Sequence, residues 1–349
     1  MGILKPHIHL FCMEQKRTPI IKGDLLTLGQ QSVFSTLADV KTILAFHGLP
    51  IKELPSGFDT ASKIPSWKGT QYESNPNAQT VFTLLGAERV YATDGSTYEN
   101  PDFVINLNEP VDVSYYERFD TIVDVGTLEH VFDIATALKN VVRMCRAGGS
   151  IILMNPSSGA IDHGFYQFSP TLYFDYFASN GFSVVSCYLD EPLRYDPIDE
   201  RKGHIYKYEY VDDELPIVSS TGFGVAFFAK KQTIGEADGS VKPIQSLYRN
   251  AWNANQDESS LSDETVKIDS TARKAAKRAV PWIRLILRLR FITVAKLGAH
   301  ALLDRKKTWQ PLWLNRYLFK RKRGKNIRYV ASYSASGDIR LRHPDRPRE

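Results

Sequence analysis

Between residues 102 and 189 the chain alternates strand-like runs with helix-like stretches, and this alternation restricts the fold more than any other feature. DFVINL (102–107), FDTIVDVG (119–126), SIILMN (150–155) and FSVVSCYL (182–189) are short apolar runs rich in β-branched and aromatic residues. Residues 128–145 (LEHVFDIATALKNVVRMC) carry apolar side chains at 128, 131, 134, 135, 138, 141, 142 and 145, the spacing of one helix face. A second helix over 169–180 opens at Ser169-Pro170, a good cap followed by proline at the first helical position, and Asn180-Gly181 ends it. Arg146-Ala-Gly-Gly149 reads as the turn from the first helix into the next strand. Strands that alternate with helices predict a doubly wound, mostly parallel α/β sheet. The last two strands, 182–189 and TGFGVAFFAKK (221–231), are separated by a loop-like segment, 190–220, with no crossover helix. The sheet is therefore expected to finish in an antiparallel hairpin.

The N-terminal part fits the same plan less regularly. DLLTL (24–28) reads as a buried strand stopped by Gly29, and 35–47 as a helix ended by Gly48-Leu49-Pro50. Residues 50–77 hold Pro50, Pro55, Pro65 and Pro76 with Gly57 and Gly69, so a long loop or an insertion is expected there. AQTVFTLLG (78–86) reads as a helix with Gly86 as its C-terminal cap, and ERVYATD (88–94) as a strand ending at Asp94.

Residues 119–182 resemble the second half of a class I S-adenosylmethionine-dependent methyltransferase domain. The likeness rests on the strand after Phe119-Asp120, the Leu128-Glu129-His130 triplet opening a helix, the Gly148-Gly149 turn into the next strand, and a helix ending in Gly181-Phe182 before the hairpin. The resemblance implies a Rossmann-like methyltransferase fold with S-adenosyl-L-methionine as cofactor. It implies that Asp94 receives the two ribose hydroxyls, which a carboxylate can accept together. Asn106 and Asn108 would lie beside the adenine amino group, and Gly126 and Thr127 would meet the cofactor with their backbone. All lie at strand carboxyl ends, where open α/β sheets bind ligands. The chain departs from the family at the first turn. A GxGxG-type loop is expected there, whereas Gly29 is followed by Gln30 and Gln31, so Gln30 is a candidate to bond the cofactor through its amide.

Candidate catalytic groups are His130 and His163. His163 lies in NPSSGAIDHGFYQFSP (155–170), a polar and aromatic loop after a strand end, and histidine is a common general base near neutral pH. A purely loop-fixing role is the competing reading. Tyr166 and Gln167 are candidate substrate contacts. Glu129, opening a helix, fits a role in helix capping and a buried hydrogen bond. Asp162 and His163 alone are too few to ligate a metal, and no metal site is expected. The segment His163-Gly-Phe-Tyr-Gln-Phe-Ser-Pro170 is similar to methyltransferase-like proteins of bacterial surface-polysaccharide synthesis, which implies a small or glycan-linked acceptor. The competing functions are a non-catalytic methyltransferase-like binding or scaffold protein and an RNA methyltransferase.

Charge divides the chain of 349 residues. Residues 1–270 carry 22 Lys and Arg against 35 Asp and Glu, while 271–349 carry 22 against 4. The expected organisation is a methyltransferase domain over 1–231 with insertions near 50–77 and 190–220, a linker over 232–270, and a basic, partly helical C-terminal extension over 271–349. In the extension, RKAAKRAVPWIRLILRLRFITVAKLGAHALL (273–303) combines Arg and Lys with Trp, Leu and Ile at helical spacing, as an interfacial membrane anchor does. Packing on the acidic body is the rival reading, and nucleic acid is a further possible partner without a specific motif. Three widely spaced cysteines, Cys12, Cys145 and Cys187, argue against a disulfide framework and for a reducing cytoplasm. The start lacks the pattern of a signal peptide, and no stretch reaches the ~18 apolar residues of a spanning helix. A cytoplasmic protein, peripheral on the inner face of the membrane, is the expectation.

Overall fold

The computed structural model describes residues 2–62, 64–192, 203–210, 217, 219–233, 237–250, 252–253, 327–333 and 339–341. In chain order the elements are β1 (Gly2–Ile3), α1 (Lys5–Arg17), β2 (Asp24–Leu28), β3 (Ser32–Val33), α2 (Leu37–Phe46), α3 (Ala78–Leu85), β4 (Arg89–Asp94), β5 (Phe103–Val104), β6 (Phe119–Val125), α4 (Ile134–Met144), β7 (Cys145–Ser158), α5 (Pro170–Ser179), β8 (Phe182–Pro192), β9 (Gly203–Tyr208), β10 (Phe223–Lys231), β11 (Ile327–Tyr333) and β12 (Ile339–Leu341).

Ten of the strands form one sheet in the order β12-β11-β9-β8-β10-β7-β6-β2-β4-β5. From β5 to β7 every pairing is parallel. The chain then reverses: β10 inserts between β7 and β8 and runs antiparallel to both. The expected terminal hairpin is present, and it is extended. β9 pairs antiparallel with β8, β11 with β9, and β12 with β11. β9 lies inside the segment read as loop, and its GHIYKY sequence buries Ile205 and Tyr206. Part of the basic extension is thus strand. The helical reading of 273–303 lies outside the described residues.

Helices cover both faces. Along β7, Ile151 and Leu153 join the core beneath α4 and α5, while Ile152 and Met154 join the core beneath α1, α2 and α3. That alternation is the two-residue period of a strand buried on both sides. The helix read over 128–145 is shorter than its apolar pattern. Residues Leu128–His130 form a single 3-10 turn, and α4 starts only after Asp133, whose carboxylate accepts from Thr136 N at 3.1 Å. The strand read over 102–107 pairs only at Phe103–Val104. Asn106 Oδ1 accepts from Asn108 N at 3.1 Å, and that local turn ends it. α1 was not legible, because its buried residues include Pro6, Ile8, His9, Leu10, Phe11, Cys12 and Glu14, which wrap around the helix and show no clean stripe.

Residues 50–77 fold as an insertion rather than as open loop. Phe34, Trp67 and Tyr72 pack with centroids 5.0–5.5 Å apart, and Asn75 Nδ2 donates to Val33 O at 2.9 Å. Residues 237–246, within the span read as linker, lie along α4 and α5. Tyr176 hydroxyl donates to Gly239 O at 2.9 Å, and Asp175 accepts from Ser246 N at 3.1 Å. The three cysteines are free and buried. The chain divides into two compact units, Met1–Ser246 with Asn315–Glu349, and Leu247–Leu314. In the second, the Tyr248 and Trp252 rings lie tilted against each other with centroids 6.3 Å apart. Among the described residues no helix is long and apolar enough to cross a membrane.

Candidate active site

The pairing register brings the predicted cofactor residues together. Leu28 of β2 is level with Thr93 of β4 and with Asp124 of β6, and Asp94 is level with Val104. Gly29, Asp94 and the Gly126-Thr127 turn therefore stand side by side at the carboxyl end of the parallel half.

The turns after β2 and β6, the first and fourth of the parallel strands in chain order, are locked to each other. Gly29 has φ +76°, and a Cβ there would lie 2.6 Å from Thr127 Oγ1. Thr127 Oγ1 donates to Leu28 O at 2.6 Å, and Thr27 Oγ1 donates to Gly29 O at 2.9 Å. Gly126, at φ +89°, lets the fourth turn approach. Gln31 is buried and turns back on the loop, donating to Leu28 O. Gln30 is half-buried and lies at a crevice with Thr27, Gln79 and Tyr91. Asp94 is half-buried, and its Oδ1 accepts from Ser96 N at 3.2 Å. Glu99 is raised above its ordinary value by burial and by the charge of Asp94. Asn106 is exposed, and its side chain closes its own turn, donating to Glu109 Oε1 at 3.1 Å. Asn108 Oδ1 accepts from Asp133 N at 2.9 Å, tying that turn to the start of α4.

Beneath the fourth turn lies a polar network that sequence reasoning missed. Asp124 and Glu129 are both fully buried. Asn155 Nδ2 donates to Asp124 Oδ2 at 2.6 Å and to Glu129 Oε2 at 3.0 Å, and Tyr173 hydroxyl donates to Asn155 Oδ1 at 2.6 Å. Asp124 Oδ1 also accepts from Thr127 N at 2.8 Å, which holds the turn. Burial, and then the neighbouring Glu129 charge, push the Asp124 carboxyl up to about 7, and burial raises Glu129 as well. The signal available was Asp124 late in the run FDTIVDV and an Asn closing IILMN.

His163 and His130, 33 positions apart, are brought face to edge with ring centroids 5.2 Å apart. Burial lowers His130 from its ordinary value. The loop carrying His163 is pinned to Glu129: Phe165 N and Tyr166 N donate to Glu129 O at 2.8 and 3.2 Å. A Cβ on Gly164 would lie 2.8 Å from the same oxygen. Tyr166 hydroxyl donates to Phe132 O at 2.7 Å, and Gln167 Oε1 accepts from Ala160 N at 2.9 Å. Both side chains thus brace the loop. The sequence offered Asp162 as the neighbour of His163. The fold instead places Glu129 and His130 there.

His163 also lines a cavity of about 190 Å³ with Leu4, Leu10, Phe34, Met154, Asn155, Asp190 and Phe223. It lies over the carboxyl ends of β6 and β7, against the N-terminal segment and the start of β10. Exposed Phe132, Ile161 and Phe165 form apolar surface on the turn and loop that carry the two histidines.

Five parallel strands with β2 at the crossover point, followed by an antiparallel strand inserted before the last of the core, complete the picture. This is the Rossmann-like methyltransferase fold. Its assignment rests on strand order and register. No family model matches the sequence, and no curated protein matches it. Among solved structures, the chain is similar to the 1,6-didemethyltoxoflavin-N1-methyltransferase of Burkholderia thailandensis, solved with 1,6-didemethyltoxoflavin and S-adenosylhomocysteine, at 12% identity over 65% of this chain and 78% of that one, TM-score 0.32. It is also similar to the N-methyltransferase NodS of Bradyrhizobium japonicum WM9, at 10% identity over 65% and 96%, TM-score 0.34.

Proposed function

We propose that this chain is an S-adenosylmethionine-dependent methyltransferase acting on a small-molecule or glycan-linked acceptor. One observation carries the reading: the turn at Gly29, the carboxylate of Asp94 and the Gly126-Thr127 turn stand level at the sheet's carboxyl end, beside a cavity lined by His163. Cofactor would lie across the first group, with Asp94 on the ribose hydroxyls, backbone at Gly29, Gly126 and Thr127 along its length, and Gln30 and Asn106 at its flanks. The acceptor would enter the cavity, where Tyr166 and Gln167 hold the loop that forms its wall.

Methyl transfer needs an acceptor atom in line with the sulfonium. The acceptor's electron pair forms the bond to the methyl carbon, the carbon–sulfur bond breaks, and the sulfur keeps its pair as S-adenosylhomocysteine. The cofactor supplies the reactivity, and the protein supplies position and exclusion of water. A hydroxyl acceptor must also lose its proton, and His163 with its neighbour His130 are the groups placed to manage that step.

Calorimetric titration with S-adenosylhomocysteine tests the reading. One site per chain is expected. A folded protein that gives no binding heat and no thermal stabilisation would instead be the scaffold protein that keeps the fold without the cofactor. The excess of 22 basic over 4 acidic residues in 271–349 supports a second partner, an anionic membrane surface. Co-sedimentation with anionic vesicles, lost on neutral vesicles and falling as salt rises, is the expected result. Salt-dependent retention on RNA without vesicle binding would favour nucleic acid.

A further inference from the structure

Glu129, His130 and His163 bring a carboxylate oxygen and two imidazole nitrogens within 4.8 Å of one another. Glu129 Oε1 lies 3.8 Å from His163 Nε2 and 4.0 Å from His130 Nε2. We propose that these three side chains bind a divalent first-row transition-metal ion, leaving coordination positions for water or for an oxygen of the acceptor.

The donor set suits such an ion. Two imidazoles and one carboxylate match zinc, cobalt, iron or manganese better than magnesium or calcium, which favour oxygen alone. The carboxylate is prepared for the task. Glu129 Oε2 is taken by Asn155, while Oε1 is fully buried and has no hydrogen-bond partner. A buried oxygen left unsatisfied is costly, and this one faces both imidazoles. Asn155 is itself fixed by the Tyr173 hydroxyl, so the ligand is held by a further layer of hydrogen bonds, as metal-binding carboxylates commonly are.

The site is also built across separate segments. The 3-10 turn carries Glu129 and His130, and the loop after β7 delivers His163. The two amide contacts to Glu129 O and the absence of a side chain at Gly164 hold that loop against the turn. Bonds of about 2.1 Å put ligand atoms about 3–3.4 Å apart, slightly closer than they stand here. Both imidazoles have room to close that gap by turning inward, since the His130 side chain is 46% exposed and that of His163 32%.

This inference deepens the proposed methyltransferase site without depending on it for its test. The two imidazoles would act on an acceptor hydroxyl through the metal, which lowers the pKa of a bound oxygen, rather than by taking the proton themselves.

The test uses the full chain, stripped with chelator and titrated with cobalt(II) by visible absorption and with zinc(II) by calorimetry. One ion per chain is expected, with visible cobalt bands and a rise in melting temperature. His130→Ala, on the exposed side, and Glu129→Gln should weaken binding by at least ~10–100-fold, the range seen when even outer partners of a metal site are disturbed. Circular dichroism checks that each variant folds. If Glu129→Gln does not fold, His130→Ala and His163→Ala decide. Absence of stoichiometric binding of either ion, or unchanged affinity in both histidine variants, overturns the site. The stripped protein is titrated in parallel with S-adenosylhomocysteine. Cofactor binding without metal binding removes the metal site alone, and metal binding without cofactor binding removes the methyltransferase reading alone.

Discussion

At Gly29 two independent constraints meet in one residue: a left-handed backbone and 2.6 Å of space before Thr127 Oγ1. A side chain there costs about 1–2 kcal/mol for the backbone, and the contact adds to it. Gly29→Ala should therefore lower stability by about 2–3 kcal/mol. In a Thr127→Ala background the contact is gone and only the backbone cost should remain, so urea unfolding of the four proteins should give a coupling of about 1 kcal/mol. Purely additive effects would mean that the two turns are not in register. Asp94 makes a different prediction. Asp94→Ala should weaken S-adenosylhomocysteine binding by about 1–3 kcal/mol, the usual loss for a charged hydrogen-bond partner, with little change in melting temperature. Unchanged affinity in the folded variant removes Asp94 from the site. The predicted residues were legible singly because each follows an apolar run. What brings His130 to His163 was not, because Glu129 O, Gly164 and the amides of 165–166 act across a gap of more than 30 positions.

Among the elements, α3 links helix capping to the insertion. Asn77 Oδ1 accepts from Thr80 N at 2.8 Å as the cap, while its Nδ2 donates to Asp59 O and Ala61 O at 2.9 and 3.0 Å. Asn77→Ala should cost about 2 kcal/mol, the upper end for a cap, because two insertion carbonyls lose their donor as well. Limited proteolysis should then cut within 50–77 before the sheet unfolds. A variant that loses stability with no earlier cleavage would mean that the insertion is held by its Phe34–Trp67–Tyr72 cluster alone. Strands β6 and β7 were plain in the sequence because both faces are buried and the runs are mostly apolar at their centres. α1 and β9 were not: one is buried all round, and the other is a short strand whose partner β11 lies more than a hundred residues away. Asp124 and Asn155 read as interruptions of apolar runs, and only the fold shows that the Asn155 amide donates to both Asp124 and Glu129.

For the whole molecule, the extension contributes strands β11 and β12 beyond β9, on the side of the sheet away from β2 and β4. A chain ending at Ser246 should keep its affinity for S-adenosylhomocysteine, because the residues proposed to hold the cofactor lie in the parallel half. It would also leave the β9 edge unpaired, and unpaired edges recruit other chains. Sedimentation velocity should show concentration-dependent association of the truncated protein and none for the full chain. Loss of cofactor binding on truncation would mean that the antiparallel half supports the site.

The position of β10 between β7 and β8 has a consequence for synthesis on the ribosome. β7 is complete at Ser158, but the strand that covers its outer edge begins at Phe223. At ~5–20 residues per second, the 64 intervening residues keep that edge open for roughly 3–13 s. During that interval a nascent chain presents the apolar strand SIILMN with one side unpaired. Expression conditions that slow elongation between residues 158 and 231 should therefore favour aggregation, and holding chaperones should act on this stretch before any other.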